Sequence, residues 1–253
     1  IGAYSLQETT TGSQNTAIGG WAMQNNTTAS FNTALGYYAL QGNTTGTQNV
    51  AIGHQALDAN TTTNSNTAVG YNALTAATAS ENTAIGRQAL KENTTGEHNT
   101  ALGVNAAYQN TTGDYNVAVG NNALDACTTG SYNIAIGYDA LTTQSTNSYN
   151  VAIGYQAGLS NASSQNTFIG YRAGKASNAS DVTYIGFDSG LHATGASNTC
   201  VGHRTMDHSS CTGGNNTTIG REGLSGLTTG SNNTTVGYFA GHDITTASDN
   251  TAI

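Results

Sequence analysis

A short motif repeats along the whole chain, and this periodicity constrains the fold more than any other feature. The unit reads Asn-Thr-Ala-Ile-Gly-Tyr-x-Ala-Leu and is followed by a polar stretch typified by Asn-Thr-Thr-Gly. Of the fourteen intervals between successive motif glycines, nine are 17 residues, four are 16 and one is 18. The glycines are Gly2, Gly19, Gly36, Gly53, Gly70, Gly86, Gly103, Gly120, Gly137, Gly154, Gly170, Gly186, Gly202, Gly220 and Gly237.

A repeat near 17 residues is too short for a pair of helices, and it fits one β-coil per repeat. We therefore predict an all-β fold, a parallel β-solenoid of about fifteen coils of 16 to 18 residues. Residues 1–253 form a single repeat array, regular in 1–150 and more variable in 151–253. Equivalent residues of successive coils should lie about 4.8 Å apart in continuous columns.

Three slots of the repeat carry the predicted columns. The aliphatic residue before the glycine should fill the coil interior. The asparagine four places before the glycine should hydrogen-bond to its equivalents along the stack. The glycine itself marks a sharp corner or a close backbone approach. Representative members are Ile52, Ile85 and Ile136 for the aliphatic slot, Asn32, Asn49 and Asn66 for the asparagine slot, and Gly36, Gly53 and Gly137 for the glycine slot.

Two further slots change size together. The slot that holds leucine or methionine as far as Leu141 becomes glycine at Gly174 and Gly190. In the same two coils the alanine at the centre of the motif enlarges to Phe168 and Tyr184. This pattern predicts that the two slots face each other and exchange volume. Gly158 has no enlarged alanine in its own coil, so the pairing is incomplete.

Composition limits the classes of function. The net charge is −8 and only 8% of residues are charged, which disfavours a nucleic-acid phosphate track. No apolar run approaches the length of a membrane span. The three cysteines cannot all pair within one chain, and Cys127 lies several coils from Cys200 and Cys211, so we expect free thiols.

The quoted motif resembles two related groups of repeats. It is similar to the head repeats of trimeric autotransporter adhesins, which have a Val-Ala-Ile-Gly core in a shorter coil. It resembles still more the repeat arrays of phage-type tail-fibre proteins that end in a self-cleaving intramolecular chaperone. The resemblance covers the whole chain and implies a left-handed parallel β-roll, three chains side by side, surface adhesion and an extracellular location on a virion fibre or cell-surface appendage.

Two kinds of surface site are suggested by the residues. Asn-x-Thr and Asn-x-Ser triplets are compatible with exposed glycosylation, although polar turns rich in asparagine and threonine produce the same triplets without modification. The loop triplets considered as candidates begin at Asn26, Asn43, Asn60, Asn93, Asn110, Asn161 and Asn178. Aromatic residues after the corner glycine could bind sugar rings or could stabilise neighbouring strands by stacking. They include Tyr37, Tyr71, Tyr138, Tyr155, Tyr171, Phe187 and Tyr238.

Catalytic, metal and cofactor sites are not indicated. No familiar nucleophile, zinc-protease or phosphate-binding motif occurs, and the carboxylates Asp58, Asp125, Asp139 and Asp188 are dispersed. The one group of metal-type side chains matches no familiar zinc spacing. It comprises Cys200, His203, Asp207, His208 and Cys211.

The leading hypothesis is the non-catalytic structural shaft of an extracellular adhesive fibre. Its partners would be further copies of itself, as a trimer or an end-to-end polymer, and cell-surface glycans or a receptor. One alternative is a filament subunit that stacks coil on coil, because open solenoid ends are unpaired strand edges. Another is an ice-binding solenoid, since Thr16, Thr33 and Thr67 share a column, which Val50, Val117 and Val151 interrupt.

Overall fold

A computed structural model describes all residues, 1–253, as an all-β chain. Fifteen short parallel strands are stacked as a β-solenoid of about 14 turns, with no helix. The protein accordingly has no helix long and apolar enough to cross a membrane. The strands are β1 (Thr16–Ile18), β2 (Thr33–Leu35), β3 (Val50–Ile52), β4 (Thr67–Val69), β5 (Thr83–Ile85), β6 (Thr100–Leu102), β7 (Val117–Val119), β8 (Ile134–Ile136), β9 (Val151–Ile153), β10 (Thr167–Ile169), β11 (Thr183–Ile185), β12 (Thr199–Val201), β13 (Thr217–Ile219), β14 (Thr234–Val236) and β15 (Thr251–Ala252).

The chain divides into two compact units, Ile1–Tyr132 and Asn133–Ile253. In the first unit each strand from β1 to β7 pairs with the next in chain order, and in the second unit the same holds from β8 to β15. The register joins equivalent slots, so that Ala34 pairs with Ala51 and Leu35 with Ile52. The predicted parallel solenoid with one coil per repeat is confirmed.

The strands show which slots face the interior. In every three-residue strand the central residue is buried and its two neighbours are more exposed, because successive side chains of a strand alternate between faces. The prediction that the aliphatic slot fills the interior is therefore wrong. Ile52 and Ile136 are partly exposed, and 38% of Ile85 is exposed. The buried residues beside them are Ala51, Ala84 and Ala135.

The interior is filled from the opposite wall of the coil. The leucine slot, with Leu40, Leu57 and Leu74, is fully buried, as is the alanine one position before it. A leucine from one wall leaves room only for a small side chain at the strand centre, which explains the alanine there. The larger aliphatic residue then takes the outward position.

The paired size changes confirm that these two slots share one space. Phe168 and Tyr184 are fully buried. A Cβ added at Gly174 would enter the Phe168 ring, and one added at Gly190 would enter the Tyr184 ring. A Cβ at Gly158 would also lie 2.6 Å from Cδ2 of Phe168. The ring of Phe168 therefore fills space beside both Gly158 and Gly174. This explains why the coil of Gly158 has no enlarged residue of its own.

Hydrogen bonds between coils extend well beyond the strands. The N–H of Gly42 donates to the carbonyl of Asp58 at 2.9 Å, and that of Thr44 donates to Thr61 at 2.8 Å. The backbone is left-handed at the same slots of each regular coil, for example at Gln55 and Leu57, both with φ of 53°. Each coil thus bonds to its neighbours around most of its circumference.

Candidate interaction surface

The outward face of the sheet is a continuous uncharged surface in each unit. None of the fifteen strands contains a charged residue. The residue before the corner glycine forms an aliphatic column on this face, with 46% of Leu102 exposed in the first unit and 44% of Ile219 in the second. Threonine, valine or isoleucine forms a parallel column two residues earlier. Soluble monomers rarely expose an apolar surface that runs through so many consecutive coils.

An aromatic column flanks this face in the second unit. Rings of Tyr138, Tyr155, Tyr171, Phe187 and His203 stack one coil apart, with successive centroids separated by 5.5, 5.1, 5.0 and 5.1 Å. Their planes are within 10° of parallel. Each inner ring therefore covers the faces of its neighbours and presents mainly edges to solvent. This geometry favours the interpretation that the aromatic column stabilises neighbouring strands, and it leaves little ring face for stacking against sugars.

Stacked aromatic rings also occur in the first unit. His98, Tyr115 and Tyr132 lie in a second column, on the other side of the strand, with centroid separations of 4.7 and 5.1 Å. His54 stacks between Tyr37 and Tyr71 at 5.6 and 5.4 Å. These columns border the aliphatic face and widen the apolar surface.

The predicted asparagine column is present and buried. Its main contact is between a side-chain oxygen and the backbone of the next coil: the N–H of Asn49 donates to Oδ1 of Asn32 at 2.8 Å, and that of Asn66 donates to Oδ1 of Asn49 at 3.0 Å. Nδ2 of Asn32 donates to the carbonyl of Gly46 at 2.9 Å. The amide therefore satisfies backbone groups at the corner in addition to the stacking that the sequence suggested.

Six of the seven candidate glycosylation sites form a second interior set. Asn26, Asn43, Asn60, Asn93, Asn110 and Asn161 are at most 1% exposed. Nδ2 of Asn60 donates to Oδ1 of Asn43 at 2.8 Å, and Nδ2 of Asn110 donates to Oδ1 of Asn93 at 2.7 Å. The expectation that these six asparagines are exposed is wrong, because their amide nitrogens point inward and are hydrogen-bonded. Asn178 is exposed and remains the one predicted acceptor on the surface.

A signal in the sequence could have identified this interior slot. Seven places after the corner glycine, other coils carry Ala77, Cys127, Ala193 and Leu227. An apolar residue in several coils and asparagine in several others indicates a buried position. The side chain there must either be apolar or find hydrogen bonds within the stack.

The metal-type residues are not brought together as a ligand set. Cys200 and Cys211 are buried, while the exposed His203 stacks on Phe187 at 5.1 Å. Arg204 Nε donates to Oδ2 of Asp207 at 2.7 Å. The structure holds no group of three or more His, Cys, Asp or Glu residues that could bind a metal ion. Among the carboxylates considered for catalysis, Asp188 accepts a hydrogen bond from Arg172 Nε at 2.7 Å.

All three cysteines are free, as expected, and the structure shows that all three are buried. Burial raises the pKa of the Cys127 and Cys211 thiols to about 11, and it raises the pKa of Cys200 well above its usual value. We predict that none of them reacts appreciably with Ellman's reagent at pH 8 in the native protein, because the thiolate is scarce and shielded. All three should react within minutes in denaturant, and rapid native labelling would show that the interior is open.

The same pKa shifts predict a loss of stability in alkali. Below pH 9, the ordinary thiol pKa, these groups are protonated in both states and the stabilisation is complete. Between pH 9 and about 11 the unfolded chain loses thiol protons that the folded chain retains, so the free energy of unfolding falls. Urea denaturation at pH 8 to 11 should show a smaller fall in the free energy of unfolding for Cys127→Ala than for the wild type. Alanine is suited to this slot, because another coil holds Ala77 there. An equal decrease would assign the effect to other groups.

No protein-family model, curated protein or solved structure matches the chain.

Proposed function

We propose that this chain is the non-catalytic shaft of an extracellular adhesive fibre in which three copies lie side by side. The observation that carries the proposal is the uncharged outward face, whose aliphatic column is at least partly exposed in each coil. Leaving such a column in water is unfavourable by roughly 25 cal/mol per Å² of apolar surface. A protein with this face gains stability when the face is covered.

A second copy of the same chain is the partner that matches this face best. The outward residues repeat at the spacing of the coils, so only a surface with the same period can meet the column at each rung. Another copy running alongside in register supplies that period without bringing any charge into the contact. The resemblance to trimeric adhesin heads and tail-fibre arrays supports three copies rather than two.

Introducing lysine on this face tests the proposal. Ile85→Lys and Ile153→Lys each place a charge in the aliphatic column, where 38% and 37% of the native side chain are exposed in the single chain. An ammonium group covered by another copy would be desolvated without a partner, which costs several kcal/mol. We expect sedimentation equilibrium to show the double variant as a monomer that retains its β-type circular dichroism.

Thr45→Lys is the matched control, since Thr45 is exposed in a turn away from the strands. It should leave the assembled mass unchanged. A double variant that assembles as tightly as the wild type would exclude this face as the contact. End-to-end filament growth, the alternative, would appear as light scattering that rises steadily with concentration.

Ice binding remains a second candidate because of one feature of the second unit. From β10 to β15 the first outward slot is threonine in every strand, without the valines that interrupt it elsewhere. A row of regularly spaced hydroxyl and methyl groups can order a layer of water molecules. Thermal hysteresis in a monomeric sample would favour this function over the fibre, because ice binding needs the face uncovered.

A further inference from the structure

A polar groove crosses three consecutive coils of the second unit, away from the strand face. Its volume is about 470 Å³, and its polar lining is Arg204, Asp207, His208, Glu222, Ser225 and His242. The groove begins in the coil that follows Gly202, whose interval of 18 residues to Gly220 is the longest in the chain. The additional length accompanies a second turn at residues 209–210.

Two of the residues that line the groove, Ser225 and Gly226, are small. Other coils carry longer side chains in the Ser225 slot, among them Gln24, Gln41, Lys91 and Tyr108. The small residue therefore leaves an opening between the coil before it and the coil after it. The hydroxyl oxygen of Ser225 is buried there and has no hydrogen-bond partner. A buried hydroxyl without a partner is costly, so a rotation about χ1 that turns it into the groove, where a ligand can bond to it, would be favoured.

The groove presents both hydrogen-bond donors and hydrogen-bond acceptors. Arg204 supplies a guanidinium whose Nε donates to Asp207, and the Glu222 carboxylate accepts a hydrogen bond from Arg221 Nε at 3.1 Å. Nδ1 of His208 accepts the N–H of Ser210 at 3.2 Å. The His208 ring must then carry its proton on Nε2, which becomes a donor.

We infer that this groove binds a neutral saccharide. Each hydroxyl of a sugar both donates and accepts hydrogen bonds, so adjacent hydroxyls can donate to carboxylates and accept from a guanidinium and an imidazole N–H. Each carboxylate is paired with an arginine, Asp207 with Arg204 and Glu222 with Arg221, so the groove offers no unpaired charge to an anionic or a cationic ligand. The groove also holds no group of three or more His, Cys, Asp or Glu residues that could bind a metal ion.

This inference deepens the adhesive part of the proposed function by naming the partner class, and it rests on that function. It also differs from the sequence-based idea of sugars on the aromatic column, because the recognition groups here are charged and hydroxyl side chains. Adhesion would then occur at a site on the shaft itself, once per chain.

The test uses saturation-transfer difference NMR on the full chain. The probes are the methyl β-glycosides of glucose, galactose, mannose and N-acetylglucosamine, with N-acetylneuraminic acid as the anionic comparison and spermidine as the cationic one. We expect transfer to at least one neutral glycoside, with weaker transfer to the two charged probes. Ser225→Gln should reduce the affinity for that glycoside roughly tenfold or more, because the longer side chain occupies the groove and bonds to its polar groups.

The substitution should not disturb folding, since Gln24 and Gln41 occupy the same slot elsewhere. Thr75→Gln is the matched control, because it introduces glutamine at the equivalent slot in a coil of the first unit, and it should leave binding unaltered. Absence of transfer to every neutral probe, stronger transfer to a charged one, or full binding by Ser225→Gln would overturn the inference. Sedimentation of the same samples keeps the two proposals separate, because a monomer that binds the glycoside contradicts only the trimeric shaft.

Discussion

Gly53→Ala is expected to destabilise the protein by about 3 kcal/mol or more. Gly53 has a φ of +132°, a region that residues with a side chain rarely adopt. A Cβ at this position would lie 2.5 Å from the carbonyl oxygen of Gly70 and 2.7 Å from its carbonyl carbon. Both atoms belong to the backbone of the next coil, so the clash can be relieved only by separating the two coils. Urea denaturation at fixed protein concentration measures the change.

Gly20→Ala is the control for this prediction. A Cβ on Gly20 would find its nearest neighbour, Cδ2 of Tyr37, at 3.4 Å, and the equivalent slot holds Tyr37 and His54 in the following coils. Its effect should be within about 0.5 kcal/mol. Equal losses for the two alanine variants would mean that the corner glycines are not the points of closest approach between coils.

Substitutions that restore the regular alanine and leucine packing around Phe168 should have strongly non-additive effects on the free energy of unfolding. Phe168→Ala alone leaves a cavity and should cost about 3 to 5 kcal/mol. Gly174→Leu alone forces a leucine into the space of the Phe168 ring and should cost about 1 to 3 kcal/mol. The triple variant Phe168→Ala, Gly158→Leu, Gly174→Leu recreates the alanine and leucine arrangement of the first unit, so its stability should be close to that of the wild type.

Backbone strain does not prevent this exchange. Gly174 has a φ of 58°, and Leu57 adopts 53° in the same slot of a regular coil. A triple variant whose loss equals the sum of the separate losses would show that the two slots do not share one space. Urea denaturation of the single, double and triple variants measures whether their effects on stability add.

The sequence predicts the coil architecture because the corner glycine and its neighbours recur at a nearly fixed period. It does not assign the faces correctly through hydrophobicity alone. In the motif Thr-Ala-Ile-Gly the isoleucine is the more apolar residue, yet the alanine is inside, because Leu57 and its equivalents fill the interior from the opposite wall. The linked changes at Phe168 and Gly174 contained this information, since two slots that exchange volume must face each other.

The polar features were harder to predict for two different reasons. Asn43 and its equivalents match a surface modification motif, whereas their burial depends on a hydrogen-bonded column that appears only when the coils are stacked. The groove at Ser225 arises where one coil is longer than its neighbours, and a repeat consensus cannot reveal the consequence of a single irregular coil. In both cases the deciding contacts join residues of different coils.

The central claim is that the outward aliphatic face is a contact between copies, and the molar mass in solution tests it most directly. Sedimentation equilibrium of the wild-type chain over a wide concentration range should give three times the chain mass of 25.7 kDa. A species that stays at 25.7 kDa throughout, soluble and with its β-structure intact, would contradict the claim.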